Sequence, residues 1–118
     1  MYGLPRDVDL QFLTGRELIQ VAIGKWQIQF NFERDASIAV ESRIRIQIYG
    51  QKAEWRSGET AGIELALCLV GSTVTQVRAQ HDGTLILRFG EGKELQVLDS
   101  NENLESYQIT TPTGSLIV

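Results

Sequence analysis

Few residues of this chain belong to types that perform chemistry, and their spacing groups none of them into a catalytic set. His81 is the sole histidine and directly precedes Asp82-Gly83, a turn signature, where an imidazole is ordinarily solvated. A general base also needs a positioned nucleophile, and the sequence marks none. Cys68 is the sole cysteine and lies in the apolar run Leu65-Ala66-Leu67-Cys68-Leu69-Val70, so it is expected as a small core residue. No internal disulfide can form, and a reducing compartment fits best. One histidine and one cysteine cannot supply a transition-metal set of the usual spacing. The stretch Asp99-Ser100-Asn101-Glu102-Asn103-Leu104-Glu105 lacks the central glycine and closing bidentate glutamate of a calcium loop and reads as a solvated loop. Gly90 and Gly92 flank a reversal between strands, and Gly24-Lys25 is a turn, so neither reads as a phosphate cradle. No catalytic residue, metal or cofactor is expected, and an enzyme is the least favoured class.

The remaining polar and aromatic residues suit binding better than catalysis. Trp55 stands in the most polar stretch of the chain, where an aromatic ring anchors an interface or closes the open end of a core. Arg43 and Arg45 flank Ile44 on one strand face; cross-strand pairing with Glu17 or Glu41 is the plain expectation, an acidic partner the alternative. The amides Gln27, Gln29 and Asn31, with Gln20, Gln47, Gln76 and Gln108, lie opposite large apolar residues, as a solvated sheet surface or a hydrogen-bonding face does. The formal charge is −4 and the other basic residues are scattered along the chain, so the footprint of a nucleic-acid binder is missing. The N-terminal Met1-Tyr2-Gly3-Leu4-Pro5-Arg6-Asp7 shows no basic region followed by an apolar run. No segment approaches the roughly eighteen apolar residues of a membrane span. A cytoplasmic protein with neither nucleic acid nor membrane as partner is expected.

The elements that must position these residues are strands, and they come in two sets. Leu13-x-Gly15-x-x-Leu18-x-Gln20-Val21 matches Leu69-x-Gly71-x-x-Val74-x-Gln76-Val77, and after one extra residue Ile28, Phe30, Phe32, Ile38 and Val40 fall on Leu85, Leu87, Phe89, Leu95 and Val97. The length suits one domain, residues 1–118, with an internal repeat over about 13–42 and 69–99. In the first copy a short helical turn at Leu10–Leu13 precedes strands over 17–23, 26–32 and 37–41, with Ile19, Val21 and Ile23 on one face. Arg43–Tyr49 alternates again and stops at Gly50, after which Gln51–Gly58 breaks into polar residues. Glu59–Val70 changes period: Ile63, Leu67 and Val70, with Ala66 and Leu69 beside them, form a helical stripe stopped by Gly71. The second copy repeats the meander over 73–79, 84–89 and 94–98, with positive φ available at both Asp82 and Gly83. A hairpin around Pro112-Thr113-Gly114 closes the chain. The expected class is α+β, mainly β: two repeated antiparallel three-strand meanders, one helix between them and a C-terminal hairpin. Periodicity leaves open whether the sheets merge, close into a partial barrel or pack as a sandwich.

The order of these motifs resembles a family of small bacterial domains of unknown function. It is carried by His81-Asp82-Gly83-Thr84-Leu85-Ile86-Leu87-Arg88-Phe89, then Gly92-Lys93-Glu94-Leu95-Gln96-Val97, then Glu105-Ser106-Tyr107-Gln108-Ile109, with Gly3-Leu4-Pro5 and Leu13-Thr14-Gly15 upstream. The resemblance implies a cytoplasmic bacterial protein without established enzymatic activity, and related short domains resemble immunity proteins that neutralise toxins. It carries over no catalytic residues; Glu105 and Tyr107 match its closing motif, with Tyr107 expected in the core and Glu105 expected to accept a hydrogen bond from a nearby turn, a ligand contact being the alternative. The leading expectation is a non-enzymatic protein-interaction module, an acidic surface or a sheet face meeting a partner. Homodimerisation is expected through strand edges at Ile48-Tyr49 and Leu116-Val118. The second expectation is a small-molecule domain with a pocket between the repeats, lined by Trp26, Trp55 or Tyr107.

Overall fold

The structure, a computed structural model, describes residues 10–99, 107–112 and 114–117. Among the described residues ten strands follow in chain order: β1 (Leu18–Ile23), β2 (Ile28–Phe32), β3 (Ala36–Val40), β4 (Arg43–Ile48), β5 (Gln51–Arg56), β6 (Gln76–Ala79), β7 (Leu85–Arg88), β8 (Lys93–Leu98), β9 (Tyr107–Thr111) and β10 (Gly114–Ile117). A 3-10 turn, Gln11–Leu13, precedes β1, and one helix, α1 (Ile63–Leu67), stands between β5 and β6. The strands form two antiparallel sheets, I with order β1-β2-β3-β9-β10 and II with order β5-β4-β8-β7-β6. The fold is thus mainly β with one short helix between the two sets of strands, as the alternation predicts.

The sheets are built by exchange. Each meander stays together, but the hairpin that follows it crosses over: β4-β5 joins the second meander through β8, and β9-β10 joins the first through β3. Neither half of the chain completes a sheet alone. The inward rows of both sheets, among them Ile28, Phe30, Ile38, Ile44, Ile46, Leu85, Leu87, Leu95, Val97 and Ile109, feed one apolar cluster. Two amphipathic sheets that share one core need no further layer.

A pseudo-twofold axis passes between the repeats, and the backbone records it. An offset of 56 residues relates Gly15 N–H to Val74 C=O at 2.8 Å with Gly71 N–H to Leu18 C=O at 2.8 Å. The same offset relates Val74 N–H to Arg16 C=O at 3.0 Å with Leu18 N–H to Ser72 C=O at 2.9 Å. Between these pairs lies an isolated bridge from Glu17 to Thr73, themselves 56 apart. The turns before β1 and β6 correspond as well: Leu13, Thr14 and Arg16 donate to Leu10, Gln11 and Leu13, as Leu69, Val70 and Ser72 donate to Ala66, Leu67 and Leu69. Gly15 and Gly71 take φ of 87° and 90° at the matching reversals, a region that disfavours any residue with a Cβ.

Six local expectations are corrected. The helix is five residues rather than a run over 59–70; it starts at Gly62 in the left-handed region without a side-chain cap. Ala66 and Leu69 face the core, which leaves Leu67, Val70 and also Cys68 exposed, so Cys68 is not a core residue. The polar stretch 51–58 contains a strand, β5, hidden because its inward side carries one large apolar residue, Trp55. Ile48 closes a central strand, since β4 lies between β5 and β8, so Ile48-Tyr49 is no edge; Leu116 does lie on an outermost strand, β10. Ile19 and Ile23 are exposed: a bulge between Leu18 and Gln20 sets Ile19 off the regular register, and Ile23, paired with Ile28, stands at the end of an outer strand. At the β6–β7 reversal only Gly83 has positive φ, and Asp82 instead accepts the Thr84 N–H at 3.0 Å.

Candidate binding face

Directly opposed residues on antiparallel strands share a face, so the register of sheet II specifies its outer surface. One row reads Arg78, Ile86, Gln96, Arg45, Glu54; the next reads Gln76, Arg88, Glu94, Gln47, Lys52; beyond the first stand Leu98, Arg43 and Arg56. Among the described residues, the outward rows of these strands carry six Lys and Arg side chains, Arg43, Arg45, Lys52, Arg56, Arg78 and Arg88, against two carboxylates, Glu54 and Glu94. These cations are scattered in sequence and gathered in space.

Glu54 sits among three guanidiniums: Arg45 Nε at 3.2 Å, Arg56 Nη2 at 3.5 Å and Arg43 Nη1 at 3.6 Å. Its carboxyl feels partial desolvation, which raises its pKa, but the Arg45 and Arg56 hydrogen bonds and the Arg43 charge outweigh that and hold it below the ordinary carboxylate value. One carboxylate cannot neutralise three guanidiniums, and Arg43 Nε is buried without a hydrogen-bond partner. The partner expected for Arg43 and Arg45, Glu17 or Glu41, is replaced by Glu54, which the unrecognised strand β5 brings alongside. Glu94 plays the corresponding part in the second row, accepting from Arg88 Nε at 3.2 Å and Gln96 Nε2 at 2.9 Å. An open groove of about 490 Å³ runs over these rows, lined by Arg45, Ile46, Gln47, Lys52, Ala53, Glu54, Glu94 and Gln96. Such a surface presents forked donors to carboxylate oxygens.

The outer face of sheet I contrasts with it. Its rows read Gln20, Asn31, Ser37, Thr110 and Ala22, Gln29, Ala39, Gln108, with no ionisable group. The amides form a ladder, Gln29 Nε2 to Asn31 Oδ1 and Asn31 Nδ2 to Gln20 Oε1, each 2.9 Å. Gln47 and Gln76 of the expected amide set belong instead to sheet II.

The sequence-derived binding residues do not form one site. Trp26 is exposed on the β1–β2 turn, under Lys25 Nζ at 4.8 Å and against Gly58, whose closeness leaves no room for a Cβ. Trp55 is fully buried and donates Nε1–H to the Glu59 carbonyl at 2.9 Å. Tyr107 is buried and donates its hydroxyl to the Gly83 carbonyl at 2.6 Å; desolvation, then the charges of Asp99 and Asp82, push the phenol well above its ordinary pKa. The recess beside Tyr107, lined by Gln27, Ala39, Glu41 and Gln108, holds about 10 Å³, room for roughly one water. Glu105 lies outside the described residues, as does the acidic stretch after Asp99. Lys52, Glu54, Arg56, Arg88 and Glu94 escaped sequence reasoning; the alternation Lys52, Glu54, Arg56 around Trp55 was the available signal.

Among the described residues, no group of three His, Cys, Asp or Glu is placed to hold a metal ion. No described helix is long and apolar enough to cross a membrane. Comparison with curated proteins and with solved structures returns no match. Residues 9–118, the span that holds both sheets and the closing hairpin, match the family of unknown function DUF6188, and the chain belongs to it.

Proposed function

We propose that this protein is a non-enzymatic interaction module of the bacterial cytoplasm that binds an acidic surface of another protein through the outer face of sheet II, with toxin neutralisation as its setting. Charge segregation carries the reading: among the described residues of a chain of net −4, the outward rows of sheet II set six cations against two carboxylates. Complementary potentials steer association and select partners, and forked guanidiniums bind carboxylates with defined geometry. An acidic protein suits the face better than a nucleic acid does. The described outward positions carry no aromatic ring on which bases stack, and Glu54 and Glu94 stand where a phosphate backbone would run. The free cysteine agrees with a reducing cytoplasm, and the resemblance of related short domains to immunity proteins supports the toxin-directed setting.

The test has two stages. Pull-down from native lysate with mass spectrometry identifies candidate partners, and each is titrated against wild type and the triple reversal R43E/R45E/R56E. An acidic partner whose affinity falls at least tenfold on reversal, and falls with added salt, supports the reading. A partner indifferent to both, or tighter binding to single-stranded DNA than to any acidic protein, overturns it.

A further inference from the structure

The pseudo-twofold axis makes β1 of sheet I and β6 of sheet II equivalent outer strands, so each serves as the other's control. They are finished in opposite ways. At the β6 edge, Gln11 Nε2 donates to the Val77 carbonyl at 3.1 Å, and Thr14 Oγ1 bonds Gln11 Oε1 at 3.3 Å. The offset of 56 residues carries Gln11 and Thr14 to Leu67 and Val70, and Thr75 and Ala79 to Ile19 and Ile23. All four aliphatic residues are exposed, at 46%, 44%, 53% and 44%. They are neighbours along one rim, because Gly71, next to Val70, donates to the carbonyl of Leu18, next to Ile19. Among the described residues, four of the six exposed large apolar side chains therefore line the β1 edge, at positions where its symmetry mate carries Gln, Thr, Thr and Ala.

Edge strands are normally guarded by charge or by a covering segment. The β5 edge has Lys52, Glu54 and Arg56, with Gly62 pressed on the Glu54 carbonyl, and the β6 edge has Arg78 and the Gln11 cap. Strand β1, Leu18–Ile23, has no charged residue, and past Leu18 no described strand but β2 neighbours it.

We infer that β1 is a homodimerisation edge whose occupant is β1 of a second copy, antiparallel across a twofold axis at Val21. A neutral edge meets its own copy without repulsion, whereas the cationic face of sheet II does not. In this register Val21 opposes Val21 and Ile19 opposes Ile23 in both directions, so apolar positions meet apolar ones, with Leu67 and Val70 covering the seam. The partner-binding face on sheet II stays free in both copies. The inference is independent of what that face binds.

Light scattering on a sizing column, from about 1 µM to about 1 mM protein, tests it. Wild type is expected to reach twice 13.2 kDa, and Ile19→Lys and Ile23→Lys to stay at 13.2 kDa with unchanged circular dichroism. Ala79→Lys, at the equivalent place on β6, is expected to dimerise as wild type does. Hydrogen exchange on wild type reads the edge without any substitution: amides of 19–23 gain protection as concentration rises. A wild-type mass of 13.2 kDa throughout, a dimer that survives both lysines, equal loss in Ala79→Lys, or no concentration-dependent protection in 19–23 overturns the inference.

Discussion

Burying a phenol is tolerable when its hydroxyl finds an acceptor, and Tyr107 finds the Gly83 carbonyl across 24 residues of chain. Tyr107→Phe leaves that buried carbonyl without its donor and should cost about 1–3 kcal/mol at neutral pH, read as a lower urea midpoint with unchanged slope. The pH dependence has a definite sign. The folded phenol titrates above its ordinary value of 10.0, so above that pH the unfolded chain ionises while the folded one does not. Wild type should therefore lose stability as pH rises past about 10, and Tyr107→Phe should lose less over the same window. Denaturant titrations of both proteins in the alkaline range check this. Glu54 offers a prediction of the opposite kind. Because its carboxylate occupies three guanidiniums that a partner would use, Glu54→Gln should tighten binding to poly-L-glutamate and steepen its salt dependence, measured by calorimetry at low salt.

At the scale of elements, β5 shows how a strand is held by one residue. Its outward side is charged, and its inward attachment rests on Trp55, fully buried with its indole N–H on the Glu59 carbonyl. Trp55→Ala should cost about 3–5 kcal/mol in thermal or chemical unfolding. It should also loosen the Glu54 cluster, since the carboxylate and Arg56 are the neighbours of Trp55 on that strand. The turn between β2 and β3 depends on another long-range anchor. Arg16 is almost fully buried and gives its guanidinium to the carbonyls of Phe12, Glu33 and Arg34 at 2.9, 2.8 and 2.8 Å, beside two residues of positive φ, Arg34 and Asp35. Most of the strand layout was legible in the residues, because each meander alternates strongly and its turns carry glycine or polar clusters. Strand β5 was not, because three of its six side chains are charged and a single tryptophan supplies the inward signal.

For the whole molecule, the exchange of hairpins makes the two repeats one cooperative unit. Separately expressed segments 1–58 and 59–118 should each be largely unfolded, because β3 lacks β9 in the first and β8 lacks β4 in the second. Mixing them should restore β-sheet circular dichroism with a single unfolding transition. Two independently folding halves would contradict the shared core. The same architecture separates the surfaces: a neutral amide face on sheet I, a cationic face on sheet II and an apolar rim on β1, so binding and self-association need not compete.

What the sequence by itself determined is local: which residues alternate, where the reversals fall, and that one unit occurs twice. Those properties follow from side-chain period and turn chemistry over a few residues, and Phe30, Ile38, Leu87 and Leu95 became core as their spacing predicts. Tertiary structure alone decided which strands are neighbours. Pairing β4 with β8 and with β5 gathered Arg43, Arg45, Lys52, Arg56, Arg78 and Arg88 from 46 positions of chain onto one surface. It also placed Ile48 on an inner strand of sheet II and Ile19 at the rim of sheet I. Strand order is set by burying both sheets against one core, a property of all ten strands together, and no single segment carries it.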